Sequence, residues 1–442
     1  MAPRDVTGTS APPALLAISD GATFDYGTKA TGSTTEKSFT VTNTGGVDGL
    51  TVSGAGLAAP FAFKGGSYPG TGGTCGATIA SAATCTIIVT YSPVGTGAHG
   101  DSIELTYDDG VTVSQLSTRA LTGTGAAPAA ITISDGATYN FGSIAAGGTL
   151  DKTFTLTNTG GVSATALSGG GLAAPFTFKG GSFPGTGGSC TATLAGGSAT
   201  CTVVVTYAPT VAGAHSDDMD ITFHNGVSAG QTSSRGVEGT AVAPASLAIS
   251  NGPTFDYGAV VATGLADKTF TITNSGGLTA TGMTGLGLAA PFTFKGGGYP
   301  GTGGTCGGTL NASATCTIVV TFNPSVTGPF SDTIDIPYND GAQAQSSHRD
   351  IQGTGATAAS ITISDGATFS FGTLAQGGTA DKAFTLTNGG GVSSSAMTGT
   401  GLAAPYSFKG GTYPGTGGSC GATLAAADTC TIVINYRPTT QA

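Results

Sequence analysis

The chain has no tryptophan, and charged residues occupy only 9% of its 442 positions, against roughly 25% in an ordinary globular protein. Its 14 Lys and Arg are scattered singly and the formal net charge is −10. A phosphate backbone needs a basic stripe to follow, so nucleic acid is excluded as a partner. No run of about 18 apolar residues occurs, and nothing reads as a membrane-spanning helix. No segment carries a helical 3.6-residue apolar period over about ten residues. The opening, Met1-Ala2-Pro3-Arg4-Asp5, lacks the apolar core of a secretory signal. We expect either a signal already removed or a piece of a longer protein.

Catalytic chemistry is equally thin. His99, His215, His224 and His348 do not recur in step along the chain, and Phe330 stands where the pattern asks for a histidine. A hydrolase triad needs Ser, His and an acid together, and no segment supplies them. The glycines do not form a nucleotide loop, because no Gly-Lys-Ser/Thr opens a helix. The expectation is a non-enzymatic protein with no cofactor and no metal site.

What the chain has is repetition. Its eight cysteines form four local pairs, Cys75/Cys85, Cys190/Cys201, Cys306/Cys316 and Cys420/Cys430, whose first member recurs after 115, 116 and 114 residues. The chain is therefore a tandem array rather than one large fold. Thr, Ser and Gly take the place of charge, with 77 glycines where average usage of about 7% gives roughly 31. Evenly spaced local pairs read as disulfides and point to an oxidising, extracellular or cell-surface location. A hairpin turning near Ala80-Ser81 is expected to set Cys75 across from Cys85. The additional residue of the second copy then falls in its Gly-rich turn, Ala195 to Ser198. Free thiols and zinc are the alternatives.

In the second copy, Ala130 to Ser134 alternates apolar and polar residues, Asp135-Gly136 supplies a turn, and Tyr139 to Gly142 continues a two-part first strand. Asp151 to Asn158 alternates strictly, as a half-buried strand does. A short strand follows near Ala166-Leu167. The segment Gly171 to Gly181, with Pro175 suited to an edge, recurs at Gly56, Gly287 and Gly401. Cys201 to Tyr207, Asp218 to Phe223 and Ser234 to Gly239 complete the unit. We expect an all-β tandem array of four immunoglobulin-like β-sandwich domains. Residues 1–13 read as the end strand of a preceding unit, and the repeats as 14–127, 128–243, 244–357 and a truncated 358–442. The links, Ala126-Ala127-Pro128, Val242-Ala243-Pro244 and Ala356-Thr357-Ala358, are short and two contain proline, which suits a semi-rigid rod.

The run from Gly303-Gly304-Thr305-Cys306 to Thr315-Cys316-Thr317-Ile318-Val319-Val320-Thr321-Phe322-Asn323-Pro324 resembles bacterial choice-of-anchor D repeats. So do Phe255-Asp256-Tyr257-Gly258 and Lys268 to Asn274. These repeats are similar to ASPM/SPD-2/Hydin and major-sperm-protein-like immunoglobulin-fold domains. The resemblance covers the whole chain and implies a long surface or secreted protein of stacked sandwiches. It implies no catalytic residue.

The chain departs from that pattern in a longer loop, Lys-Gly-Gly-x-Tyr/Phe-Pro-Gly-Thr-Gly-Gly. It carries Lys64 and Tyr68, Lys179 and Phe183, Lys295 and Tyr299, and Lys409 and Tyr413. One reading is an adhesive finger for cell-surface glycan or protein, repeated for avidity; the other is a structural turn whose aromatic packs on its own sandwich. Lys37, Lys152, Lys268 and Lys382, near Asn43, Asn158, Asn274 and Asn388, read as strand-face lysines rather than isopeptide donors. Asp135 and its counterparts read as turn residues rather than calcium ligands.

The fourth copy lacks the counterpart of Ala98 to Gly125, about two strands. Val6-Thr7-Gly8-Thr9-Ser10-Ala11-Pro12-Pro13 matches Leu121 to Pro128. Two expectations follow: an excerpt of a longer array, or self-association in which residues 6–9 complete a neighbour's fourth sandwich. The functional expectation is an extracellular stalk or fibre on a bacterial surface, adhesive and self-assembling head to tail, with ligand binding by the loops as the alternative.

Overall fold

In the first repeat the alternation of Lys37, Phe39 and Val41 with polar neighbours becomes a strand whose Phe39 and Val41 are fully buried. The computed structural model describes residues 3–439. It falls into two compact units, Met1–Ala241 and Val242–Ala442. The first repeat contributes β1 (Leu16–Ile18), β2 (Thr23–Ala30), β3 (Thr35–Asn43), β4 (Leu50–Gly54), β5 (Phe61–Phe63), β6 (Thr84–Tyr91), β7 (Gly97–Asp108) and β8 (Gln115–Ala126). One sheet has the order β1-β3-β6-β5 and the other β2-β8-β7-β4. The first strand changes sheets at Asp20-Gly21, both at positive φ. Thus β1 pairs antiparallel with β3 while β2 runs parallel to β8.

The second and third repeats copy this plan. Each gains two short strand residues, Thr193–Leu194 and Thr309–Leu310, at the edge of the second sheet. The three complete repeats each enclose their own core between the sheets. At its centre Phe61 stacks on Tyr91 at 4.8 Å, Phe176 on Tyr207 at 4.7 Å and Phe292 on Phe322 at 4.8 Å. Among the described residues the fourth repeat forms the first sheet alone, from Ile361–Ile363, Ala380–Asn388, Thr429–Tyr436 and Tyr406–Phe408. The protein is all-β, a tandem array of immunoglobulin-like sandwiches.

All four cysteine pairs are disulfides, with Cα atoms 4.8–4.9 Å apart. The hairpin expected between them is a misreading. Cys85 lies opposite Val41 of β3, and on the other side of β6 no strand ladder pairs it with Cys75. The chain between the cysteines leaves the first sheet, and Ile79 bridges to Gly49 at the edge of the second. Cys75 reaches Cys85 because the amides of Thr74 and Cys75 both donate to the Thr86 carbonyl, just beyond it. The disulfide therefore closes an excursion between sheets. In the second repeat the additional residue does lie in the Gly-rich turn, between Thr193–Leu194 and Ala199–Tyr207.

Candidate functional site

The loop from Lys64 to Gly73 runs along the free edge of β6. Beyond β5, the Lys64 amide donates to the Ile88 carbonyl, the Ile88 amide to the Pro69 carbonyl and the Thr74 amide to the Thr86 carbonyl. A Cβ on Gly70, at φ +90°, would meet the Ile88 carbonyl oxygen at 2.3 Å. The glycine lets backbone lie on backbone. Tyr68 is half-buried and meets Phe63 edge to face at 5.7 Å. Burial pushes its phenol up to about 12. Phe183, Tyr299 and Tyr413 pack the same way on Phe178, Phe294 and Phe408. Lys64, Lys179, Lys295 and Lys409 pair with Glu36, Asp151, Asp267 and Asp381 at 2.7–2.9 Å. Thus the four loops cover what would otherwise be an exposed strand edge.

The second candidate is the inner face of the first sheet in the fourth repeat. The sheet borders an apolar groove of about 700 Å³, and the described residues there include no counterparts of β7 and β8. Ile363 is 55% exposed and Tyr406 42%, whereas the equivalent Ile18 and Phe61 are 6% and 1% exposed. Val6, Thr7, Gly8 and Thr9 are exposed and belong to no strand.

Three recurring polar devices had no assigned role in the sequence. Asn158 is fully buried at the end of its strand. Its Oδ1 accepts from the amides of Ala130 and Gly160, and its Nδ2 donates to the carbonyls of Val162, Leu194 and Ala195. Asn43, Asn274 and Asn388 hold the same place. The buried Arg119, on β8, donates across the sandwich to the Ile18 carbonyl of β1, leaving its Nε without a partner. Arg235 and Arg349 do so toward Ile133 and Ile249. Recurrence two residues before Leu121, Val237 and Ile351 was the available signal.

The buried Tyr91 hydroxyl pairs with His99 Nδ1 at 2.9 Å, and Tyr207 with His215 likewise. In the third repeat both members are phenylalanine, Phe322 and Phe330, 6.1 Å apart. His99 and His215 thus satisfy buried phenols. The strand lysines sit over aromatic faces, Lys152 4.4 Å from the Tyr139 centroid and paired with Asp135 at 2.8 Å. Lys37 and Lys382 repeat this, and Lys268 lies 4.7 Å from the Phe255 centroid. Among the described residues no cluster of three or more His, Cys, Asp or Glu could hold a metal.

No family model matches the chain, and no curated protein matches it. Solved structures do. A titin I-band fragment, I67–I69, is 11% identical over 78% of this chain and 99% of its own, with a TM-score of 0.28. Mouse cadherin-23 EC22-24 is 10% identical over 78% of this chain and 100% of its own, at 0.26. A PapD-like domain of human CEP192 is 15% identical over 26% of this chain and 88% of its own, at 0.20. At these values the fold assignment rests on the strands and their pairing.

Proposed function

We propose that the chain is a non-enzymatic extracellular structural repeat protein of choice-of-anchor D type, a semi-rigid stalk or fibre segment on a bacterial surface. The observation that carries this reading is how the links are held. The amides of Gly161 and Val162 donate to the Ala127 carbonyl, and that of Gly391 to the Thr357 carbonyl. Each of these links is bonded into the repeat that follows, which opposes free hinging. The disulfides support the oxidising location. Negative-stain imaging tests the reading: rods of uniform length are expected, and particles bent at random between beads would refute it.

A second reading, glycan or protein binding by the loops, draws on the fourfold recurrence of the Lys-Gly-Gly…Pro-Gly segment. Its test is an array signal that disappears when Tyr68, Phe183, Tyr299 and Tyr413 become alanine.

A further inference from the structure

We propose that Asn251 is a site of deamidation, and that the aspartate formed there completes an ion pair with Lys268 which the other three repeats already hold. Three observations carry it.

The third repeat lacks one partner. Lys37, Lys152 and Lys382 pair with Asp20, Asp135 and Asp365 at 2.8–3.1 Å, and each of those aspartates opens an Asp-Gly turn. In the third repeat the turn reads Asn251-Gly252, and among the described residues Lys268 makes no ion pair. The Lys268 ammonium nevertheless keeps its station, 4.7 Å from the Phe255 centroid, where the other repeats show 4.8, 4.4 and 4.6 Å. The backbone matches as well. Asn251 has φ +74°, and Asp20, Asp135 and Asp365 have +74°, +71° and +67°. A carboxylate at 251 would meet the cation with no rearrangement of the turn.

The chain contains three Asn-Gly pairs, and the fold leaves one of them open to reaction. Deamidation begins when the following amide nitrogen loses its proton and attacks the side-chain Cγ, so that nitrogen must be free and able to move. The Gly226 amide donates to His224 Nδ1 at 2.9 Å, and Asn225 Oδ1 accepts from the amides of Val227 and Ser228. The Gly389 amide donates to the Ser360 carbonyl at 2.9 Å. Asn388 is fully buried, with its Nδ2 donating to the carbonyls of Val392, Leu424 and Ala425. Asn251 and Gly252, by contrast, are exposed. The Gly252 amide has no acceptor among the described residues, and a Cβ there would meet nothing within 4 Å. Glycine offers the attacking nitrogen the least steric hindrance.

The surroundings suit the product. Asn251 Nδ2 donates to Ser250 Oγ at 2.8 Å. In the other repeats the hydroxyl points the opposite way, and Ser19, Ser134 and Ser364 donate to the following aspartate at 2.6–2.7 Å. Rotation of the Ser250 hydroxyl turns one arrangement into the other. Hydrogen bonds from Lys152 and Ser134 hold the Asp135 carboxyl below its ordinary range, so this turn favours a carboxylate over its neutral form.

Water is the one co-reactant. The Gly252 nitrogen bonds to Asn251 Cγ, and the side-chain nitrogen leaves as ammonia with the proton that the Gly252 amide gave up. Water then opens the cyclic imide. Cleavage between Cγ and the Gly252 nitrogen leaves aspartate in an ordinary chain; cleavage at the main-chain carbonyl leaves isoaspartate. The cationic Lys268 favours the negative charge that develops on the way.

The test is peptide mapping by mass spectrometry after incubation of the full chain at mildly alkaline pH, folded and in denaturant. In denaturant all three Asn-Gly sites should convert at comparable rates. In the folded chain Asn225 and Asn388 react only through local opening, so Asn251 should convert at least about tenfold faster than either. Equal protection of all three folded sites would overturn the proposal, as would a rate at Asn251 no greater than that at Asn225. The pairing has a separate readout in acetylation of the lysines by a water-soluble ester. Lys268 labelling should fall to the level of Lys152 in the aspartate form. Asn251→Asp, which installs the residue of the other repeats, should show that level from the start. Labelling of Lys268 that stays unchanged in both would refute the pairing.

Discussion

Asn158→Ala should destabilise the second repeat by about 4 kcal/mol and leave the other repeats unchanged. The amide occupies a point where three chain segments meet, at Ala130, at Gly160–Val162 and at Leu194–Ala195, and makes five hydrogen bonds of 2.9–3.1 Å to them. Removing it strands the Gly160 amide, whose bond to the side chain is buried, and takes a buried bond from the Leu194 carbonyl, which keeps its pairing with Ala164. Each stranded group costs about 1–3 kcal/mol. The other three bonds are part-buried, and those groups can turn to water at roughly 0.5 kcal/mol apiece. An array need not unfold in one step, so the readout must be local. Hydrogen exchange followed by mass spectrometry should show second-repeat amides exchanging about three orders of magnitude faster, with no change in the first and third repeats. Asn158→Asp keeps the acceptor but turns a carboxylate toward three carbonyls and should be at least as damaging. An acceleration below about tenfold, or one spread evenly over all repeats, would refute the account.

Two further outcomes follow from the tyrosines. His99→Phe alone should cost about 1–3 kcal/mol, because the Tyr91 hydroxyl is left buried without its partner; adding Tyr91→Phe should recover most of that loss, as the Phe322/Phe330 pair of the third repeat indicates. A double-mutant cycle reads the coupling, and purely additive effects would contradict the pairing. The Tyr68 phenol, pushed up to about 12 by burial, is neutral in the folded state across a range where an unfolded tyrosine ionises, near 10. Its contribution is therefore complete below pH 10 and is lost as pH rises toward 12. Ultraviolet titration of the chain against Tyr68→Phe should remove a late-titrating phenol, and loss of one titrating near 10 instead would place Tyr68 in water.

The alternating segments were legible because burial imposes a period of two, and Asp151 to Asn158 became Leu150–Asn158 almost unchanged. The disulfides were legible as pairs but not as geometry. A separation of 10 residues suits a hairpin and a crossing excursion equally, and the Gly49–Ile79 bridge, a tertiary contact, distinguishes them. The Lys64 to Gly73 loop hid its place because backbone laid along a strand edge through single bonds leaves no periodic trace. Asn158 and Arg119 were visible as recurrences, yet the partners Ala130, Leu194 and Ala195 lie 28–37 residues from Asn158, and Ile18 lies 101 from Arg119. The histidines misled by recurring in only part of the array; their rule appears once Tyr91, Tyr207 and Phe322 are seen to change with them.

The fourth repeat separates what holds each sheet. Its first sheet keeps the register of the others, Ile361 opposite Asn388 and Leu386 opposite Cys430, as Leu16 lies opposite Asn43 and Val41 opposite Cys85. The counterparts of β2 and β4 do not survive as strands; residues 368–375 have none, and 394–400 keep one bridge, Ser394 to Leu424. In the first repeat β2 bonds only to β8, and β4 pairs with β7; the described residues of the fourth repeat hold no such hairpin, and neither ladder forms there. Side chains answer differently. Phe369 and Phe371 stay seated on Phe384 and Tyr436, at 5.4 and 5.3 Å. Burial positions the second-sheet segments, whereas hydrogen bonding to the hairpin makes them strands.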